Sequence, residues 1–281
     1  MVSPRIFALT LLAMLAFAGN SLLCRIALSH TSIDAATFTT VRLASGALML
    51  VLLARPWRKS PAGKGNWLSA LALFAYAAGF SLAYLSLTAA TGALLLFGAV
   101  QATMVGHGLC KGERLCAAQL AGMALAAGGL LGLLLPGLQA PPLQEALLML
   151  GAGVAWGVYS LRGRGAGDPL RVTAGNFLRA APIAVLLSVA TAGSLSPDPL
   201  GIAYAVASGA LASGIGYALW YSALPSLSAT GAATVQLSVP IIAAIGGIVF
   251  LDEAASLRLL LAATAILGGI ALVILGRRSA T

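Results

Sequence analysis

Charge is the first thing this sequence lacks. Of its 281 residues 8% are charged, and only seven are acidic. Soluble domains carry roughly 25% charged residues, so a chain this poor in charge cannot cover a water-facing surface, and a soluble globular fold is excluded. Histidine is scarce too: the two present, His30 and His107, fall toward opposite sides of the membrane in the reading below, and no Asp or Glu falls in the middle of an apolar run. Neither a Ser/His hydrolase nor a metalloprotease can be assembled from that set, and no carboxylate proton relay is visible. His107 could take up a proton near neutrality, but its place near the end of a run equally suits a packed or interfacial residue. Three cysteines, Cys24, Cys110 and Cys116, give an odd count without metal-ligand spacing, which argues against a disulfide framework and a metal site alike. A phosphate-binding GxxxxGK[ST] stretch is missing, as is any soluble segment that could hold a nucleotide, so no cofactor is expected.

What the sequence has is apolar length. At 60% hydrophobic it divides into ten runs, approximately 5–28, 34–54, 66–87, 91–110, 115–135, 143–162, 171–191, 199–222, 230–251 and 255–276. About 20 residues of helix cross about 30 Å of hydrocarbon, so the expectation is an all-α membrane protein with ten transmembrane helices and short connections. The first run is too long for the core of a signal peptide and reads as an uncleaved helix.

The net charge of +9 suggests nucleic acid only until the basic residues are placed. With the N-terminus inside, residues such as Arg5, Arg55, Arg58, Lys59, Lys64, Lys111, Arg114, Arg162, Arg164, Arg171, Arg277 and Arg278 fall on the cytoplasmic side, and only Arg25 and Arg258 lie near the outer one. That is the positive-inside bias of a cytoplasmic (inner) membrane protein with both termini cytoplasmic; the partners implied are lipid and a small solute.

The chain also repeats itself. GFSLAYLSL at 79–87 matches GYALWYSAL at 216–224; Arg42 falls on Arg179, Arg25 on Arg164, Glu113 on Glu253 and Gly128 on Gly268, at offsets of 137 to 140. Residues 1–140 and 141–281 thus read as two five-helix units. An odd number of crossings turns the second unit over, and inverted repeats are a usual construction of secondary transporters.

Ten helices in two inverted fives, acidic turns opening helices five and ten, a Gly pair in each, an Arg in helix two and Pro240 in helix nine together resemble the drug/metabolite transporter superfamily, and within it the EamA-type members. The resemblance implies a transporter that works without ATP by alternating access. The family includes amino acid and metabolite exporters, and its central cavity is lined by helices one, three, four, six, eight and nine. Aromatic amino acids suit an aromatic-lined, weakly charged cavity; efflux of lipophilic cations and a simple channel are the alternatives. The oligomeric state stays open, with a monomer admissible.

On the cavity helices the candidate solute contacts are Gln101, Trp156 and Tyr217, then Asn20 and Gln236, with Tyr76, Phe80, Tyr159 and Trp220 beside them. Interhelical packing is the competing use of Gln101, Trp156 and Gln236, and an interfacial aromatic belt that of Tyr84, Trp220 and Tyr221. Arg42 and Arg179, each inside a helix, carry an insertion cost of about 2.5–3.5 kcal/mol. They either snorkel and bond carbonyls as a symmetric structural pair or meet a solute carboxylate. Glu113 and Glu253 are expected in the first turn of their helices, favoured there by the helix dipole, with gating as the other use. Pro240 is a candidate hinge, and Gly128 with Gly132 reads as a GxxxG packing face.

Overall fold

The computed structural model describes residues 3–54, 64–112, 115–137, 140–163, 167–227 and 229–276. The helices in chain order are α1 (Pro4–His30), α2 (Ala35–Leu53), α3 (Trp67–Ala83), α4 (Ala89–Cys110), α5 (Ala117–Leu134), α6 (Leu143–Gly163), α7 (Pro169–Ala190), α8 (Pro199–Val206), α9 (Gly216–Ala223), α10 (Ala229–Gln236), α11 (Ser238–Leu251) and α12 (Leu257–Gly276). Nine spans among the described residues are long and apolar enough to cross a membrane, α3 being a shorter apolar helix of 17 residues. The protein is an all-helical, multi-pass membrane protein.

Helix starts follow local chemistry. Asp34, Asn66 and Thr88 each accept from the backbone N–H three residues on, at 2.8, 2.9 and 3.2 Å, which satisfies donors that a helix leaves unpaired. Pro4, Pro169 and Pro199 occupy first helical positions, where a missing N–H costs nothing.

Three of the ten expected runs depart from plain helices. The third was expected to reach residue 87, but α3 ends at Ala83 because the carbonyls of Tyr84 and Leu85 turn away to accept from Arg25 Nη1 at 3.0 Å each. The eighth is one continuous span interrupted by a π-helical segment, Ala207–Ile215, between α8 and α9. Its small residues ASGALASGI allow close packing: a Cβ on Gly209 would touch the carbonyl oxygen of Arg42 and the hydroxyl of Ser45. The ninth breaks at Leu237 into α10 and α11, three residues before Pro240, which cannot donate to the carbonyl one turn back.

Packing is pairwise. α5 lies along α12, α2 along α7 and the π segment, α6 against α3 and α4, and α1 against α9 and α11. Ala, Gly and Ser dominate these contacts, as expected where lipid offers no hydrophobic gain and close backbone approach must supply the attraction. Many large apolar side chains point outward, Phe250 being 72% exposed and Leu257 71%, which suits a hydrocarbon surrounding, while Tyr84, Phe38, Phe80 and Phe177 are fully buried. Between α5 and α12 the close approach runs through Gly122, Gly129 and Gly269: a Cβ on Gly129 would lie 2.7 Å from that of Ala265. Gly128 and Gly132, the expected GxxxG face, look into open space instead. The stripe is there, one residue away from where spacing alone put it.

Candidate functional site

Aromatic side chains from five helices meet in the bundle. Trp156 of α6 joins three rings: its centroid lies 4.8 Å from Tyr76 of α3, 5.3 Å from Tyr159 and 5.7 Å from Tyr217 of α9, the last two stacked. Tyr76 continues to Phe80 at 5.4 Å, and Tyr217 to Phe17 of α1 at 5.6 Å and Phe177 of α7 at 6.1 Å. Tyr76, Phe80, Tyr159 and Tyr217 are buried. Rings supply flat apolar surface, and those of Tyr and Trp keep a polar handle.

A polar string runs beside the stack. The Ser208 hydroxyl donates to Asn20 Oδ1 at 2.7 Å, Asn20 Nδ2 donates to Tyr76 Oη at 3.4 Å, and Arg42 Nη2 donates to the same oxygen at 3.0 Å. The guanidinium of Arg42 lies over the rings of Tyr76 and Phe80, 5.2 and 4.8 Å from their centroids. Its Nε and Nη1 are buried with no hydrogen-bond partner. A second string links Asn176 Nδ2 to Tyr159 Oη at 3.4 Å, Tyr159 to Thr173 at 3.4 Å, and Thr173 to Tyr221 Oη at 3.2 Å.

The sequence candidates therefore divide. Trp156, Tyr217, Tyr76, Phe80, Tyr159 and Asn20 are joined in one cluster. Trp220 lies at its edge, 6.2 Å from Phe17 and buried rather than placed in an interfacial belt. Tyr84 is wholly buried too, its hydroxyl donating to the Ala89 carbonyl at 3.3 Å. Gln101 and Gln236 are half-buried on α4 and α10 and make no hydrogen bond among the described residues. Helices two and seven, which the resemblance set outside the cavity, both reach the cluster, through Arg42 and Phe177. Sequence reasoning missed Phe17, Phe177, Thr173, Asn176 and Ser208; Asn176 and Ser208 carried a signal as polar groups deep in apolar runs.

The two intramembrane arginines are not equivalent. Arg179 follows the structural reading: Nη1 donates to the carbonyls of Lys64 and Gly175 at 2.6 and 2.7 Å, and the group lies 5.9 Å from the Trp67 ring. Arg42 bonds no carbonyl with its guanidinium.

The gating candidates separate as well. Glu113 lies outside the described residues, as do Arg114, Arg164, Arg277, Arg278 and the basic loop at 55–63. Glu253 precedes α12 in a turn and caps a different helix from the expected one, accepting from the N–H of Ala89, first residue of α4, at 3.0 and 2.9 Å. Arg25 Nε completes the contact at 3.4 Å from Glu253 Oε1. Glu253 lies outside the membrane spans, and burial pushes its carboxyl above the usual carboxylate range against the opposing pull of the Ala89 N–H and of Arg25. Pro240 is buried in the first turn of α11, just past the helix break.

Residues 143–275 match the EamA-like transporter family. An uncharacterized Pseudomonas aeruginosa protein, PA1977, is 60% identical over 279 residues, covering 99% of this chain and 97% of that one. The threonine/homoserine exporter RhtA of Salmonella typhimurium is 39% identical over 118 residues, a match to 40% of this chain and 38% of the exporter. Its Escherichia coli counterpart is 36% identical over 126 residues, 43% and 41% of the two chains. A solved crystal structure superposes with a TM-score of 0.68 over 96% of this chain and 99% of its own, at 22% identity, a likeness that shows the fold alone. With the family model over its second half, a near full-length relative and a bundle built as that family's sequence features imply, the chain belongs to the EamA-like transporters of the drug/metabolite transporter superfamily.

Proposed function

We propose that this protein exports small organic solutes, amino acids or close relatives of them, across the inner membrane by alternating access without ATP. The observation that carries the reading is the aromatic stack centred on Trp156, with rings from α1, α3, α6, α7 and α9 and deep polar groups alongside. Deep polar groups in a membrane protein mark solute pathways, and the exporters matched over two-fifths of the chain act on hydroxylated amino acids. The packing supports the inverted-repeat reading. α2 meets its repeat counterpart α7, α5 meets α12, and the contact of α3 with α6 answers that of α1 with α8 and α9.

Counterflow in proteoliposomes tests it. Vesicles loaded with unlabelled phenylalanine, threonine or homoserine should take up tracer of the same solute faster than empty ones; a simple pore gives no such acceleration. Trp156→Ala and Gln101→Leu should leave monodisperse protein whose apparent affinity falls roughly ten- to a hundredfold, the loss of about 1–3 kcal/mol. Unchanged counterflow in both variants would remove these residues from the solute path. For orientation, a cysteine in place of Pro136 should react with an impermeant reagent in intact cells, and one in place of Lys64 should not.

A further inference from the structure

Arg42 does a job that packing does not explain. Its guanidinium is buried, the residue being 2% exposed, and only one of its three nitrogens has a hydrogen-bond partner. The ion pairs among the described residues are Arg25 with Glu253 and Arg171 with Asp168, so no described carboxylate neutralises Arg42. A structural arginine in this bundle looks like Arg179, which spends its donors on backbone carbonyls. Nor is Arg42 adrift: the backbone of α2 is pressed against the π segment at Gly209, which fixes where the side chain starts.

The surrounding hydrogen bonds have one polarity. With the Asn20 amide oriented so that Oδ1 takes the Ser208 hydroxyl, its Nδ2 donates to Tyr76, as Arg42 Nη2 does. The Tyr76 oxygen thus accepts from two N–H groups, and its own O–H hydrogen remains to be given away. Arg42 Nε, Arg42 Nη1 and the Tyr76 hydroxyl all offer hydrogens, while Asn20 Oδ1 and the Tyr76 oxygen already accept from Ser208, Asn20 and Arg42. Three unspent donors, two of them on a cation, fit an acceptor-only anion; a planar carboxylate matches a guanidinium best. Beside it lie the faces of Phe80 and Tyr76, and through Tyr76 the Trp156 stack.

We propose that Arg42, with the Tyr76 hydroxyl, recognises the carboxylate of the transported solute, so that the solute class is a carboxylic acid or zwitterion with a flat apolar side chain and not a lipophilic cation. This deepens the transport reading and rests on it. Phenylalanine carries both a carboxylate and an amine, 3-phenylpropionate only the carboxylate, and phenethylamine only the amine, which separates the two charges on one ring.

The experiment is competition of these three compounds, with threonine as a fourth, in counterflow by full-length protein in liposomes, together with thermal stabilisation in detergent. Wild-type protein should respond to phenylalanine and 3-phenylpropionate and at least tenfold more weakly to phenethylamine. Arg42→Gln should weaken the two carboxylates at least tenfold and erase their advantage over the amine; Arg42→Lys should restore part of it. If wild-type protein handles phenethylamine as well as phenylalanine, the proposal is overturned without recourse to any variant. Folded Arg42→Gln that keeps wild-type affinity for phenylalanine overturns it too, and leaves the transport reading standing. Wild-type protein that exchanges none of the four solutes overturns this proposal together with the reading beneath it.

Discussion

Arg25 Nε lies 3.4 Å from Glu253 Oε1, and Arg25 Nη1 reaches the carbonyls of both Tyr84 and Leu85 at 3.0 Å. One guanidinium thereby ties the end of α1 to the turn after α3 and, through Glu253, to the start of α4 and the approach to α12. Four chain segments meet at this contact. The Glu253 carboxyl titrates above its unfolded value because of its burial. The folded state therefore binds the proton more tightly than the unfolded one, and the resulting stabilisation is full below the ordinary carboxylate pKa and lost as pH rises through the raised one. The midpoint of thermal unfolding in detergent should accordingly fall across that interval, and Glu253→Gln should flatten the fall. Glu253→Ala should cost about 1–3 kcal/mol by leaving the α4 start and Arg25 unpaired, read as a lower midpoint at neutral pH.

The α5–α12 seam offers a one-residue discrimination. A methyl on Gly129 would collide with Ala265 Cβ at 2.7 Å and lie 3.1 Å from the Ile266 backbone nitrogen, while one on Gly128 meets nothing within 4 Å. Gly129→Ala should lose about 1–3 kcal/mol by overpacking and lower the yield of monodisperse protein. Gly128→Ala should be neutral or gain up to about 1 kcal/mol from helix propensity. Size-exclusion profiles and unfolding midpoints of the two variants, made side by side, check this.

That example also marks how far the sequence could be read. The spans were legible because apolar length is an average over 20 residues. Which glycine faces its neighbour was not legible, since α5 is apolar all round and carries no periodic polar face to fix its rotation. The aromatic candidates Trp156, Tyr217 and Tyr76 were legible as deep polar rings. Arg42 could not be told apart from Arg179, because the repeat made the two twins and left both uses open. The sequence could not show that Lys64 brings its carbonyl to one of the pair and that only the other faces Tyr76. The partner of Glu253 was hidden likewise, as the helix it caps begins 164 positions earlier in the chain.

Arg179 supplies the control for its twin. Arg179→Gln removes the donors to the Lys64 and Gly175 carbonyls and the contact with Trp67. It should lower the unfolding midpoint, a loss of about 1–3 kcal/mol, and leave the apparent affinity for solute within twofold of wild type once transport is normalised to folded protein. A change in affinity without a change in midpoint would reverse the roles assigned to the two arginines.

Pro240 sits where the ninth crossing divides. The chain turns out of helical register at Leu237, whose N–H bonds the Thr234 carbonyl at 3.1 Å, and re-enters at Ser238, whose hydroxyl bonds the Val235 carbonyl at 2.7 Å. Pro240 cannot donate to the carbonyl of Gln236, so the helix has no bond to lose at this joint when it bends. Pro240→Ala restores that donor and lets α10 and α11 run as one helix. If the joint flexes during the transport cycle, the straightened variant should unfold at a higher temperature yet turn over several-fold more slowly, with solute affinity little changed. Counterflow rate at saturating solute, set against the unfolding midpoint of the same preparation, distinguishes this from a static kink, for which the variant would lose stability by clashing with the buried neighbours of α11 and would show no separate defect in rate.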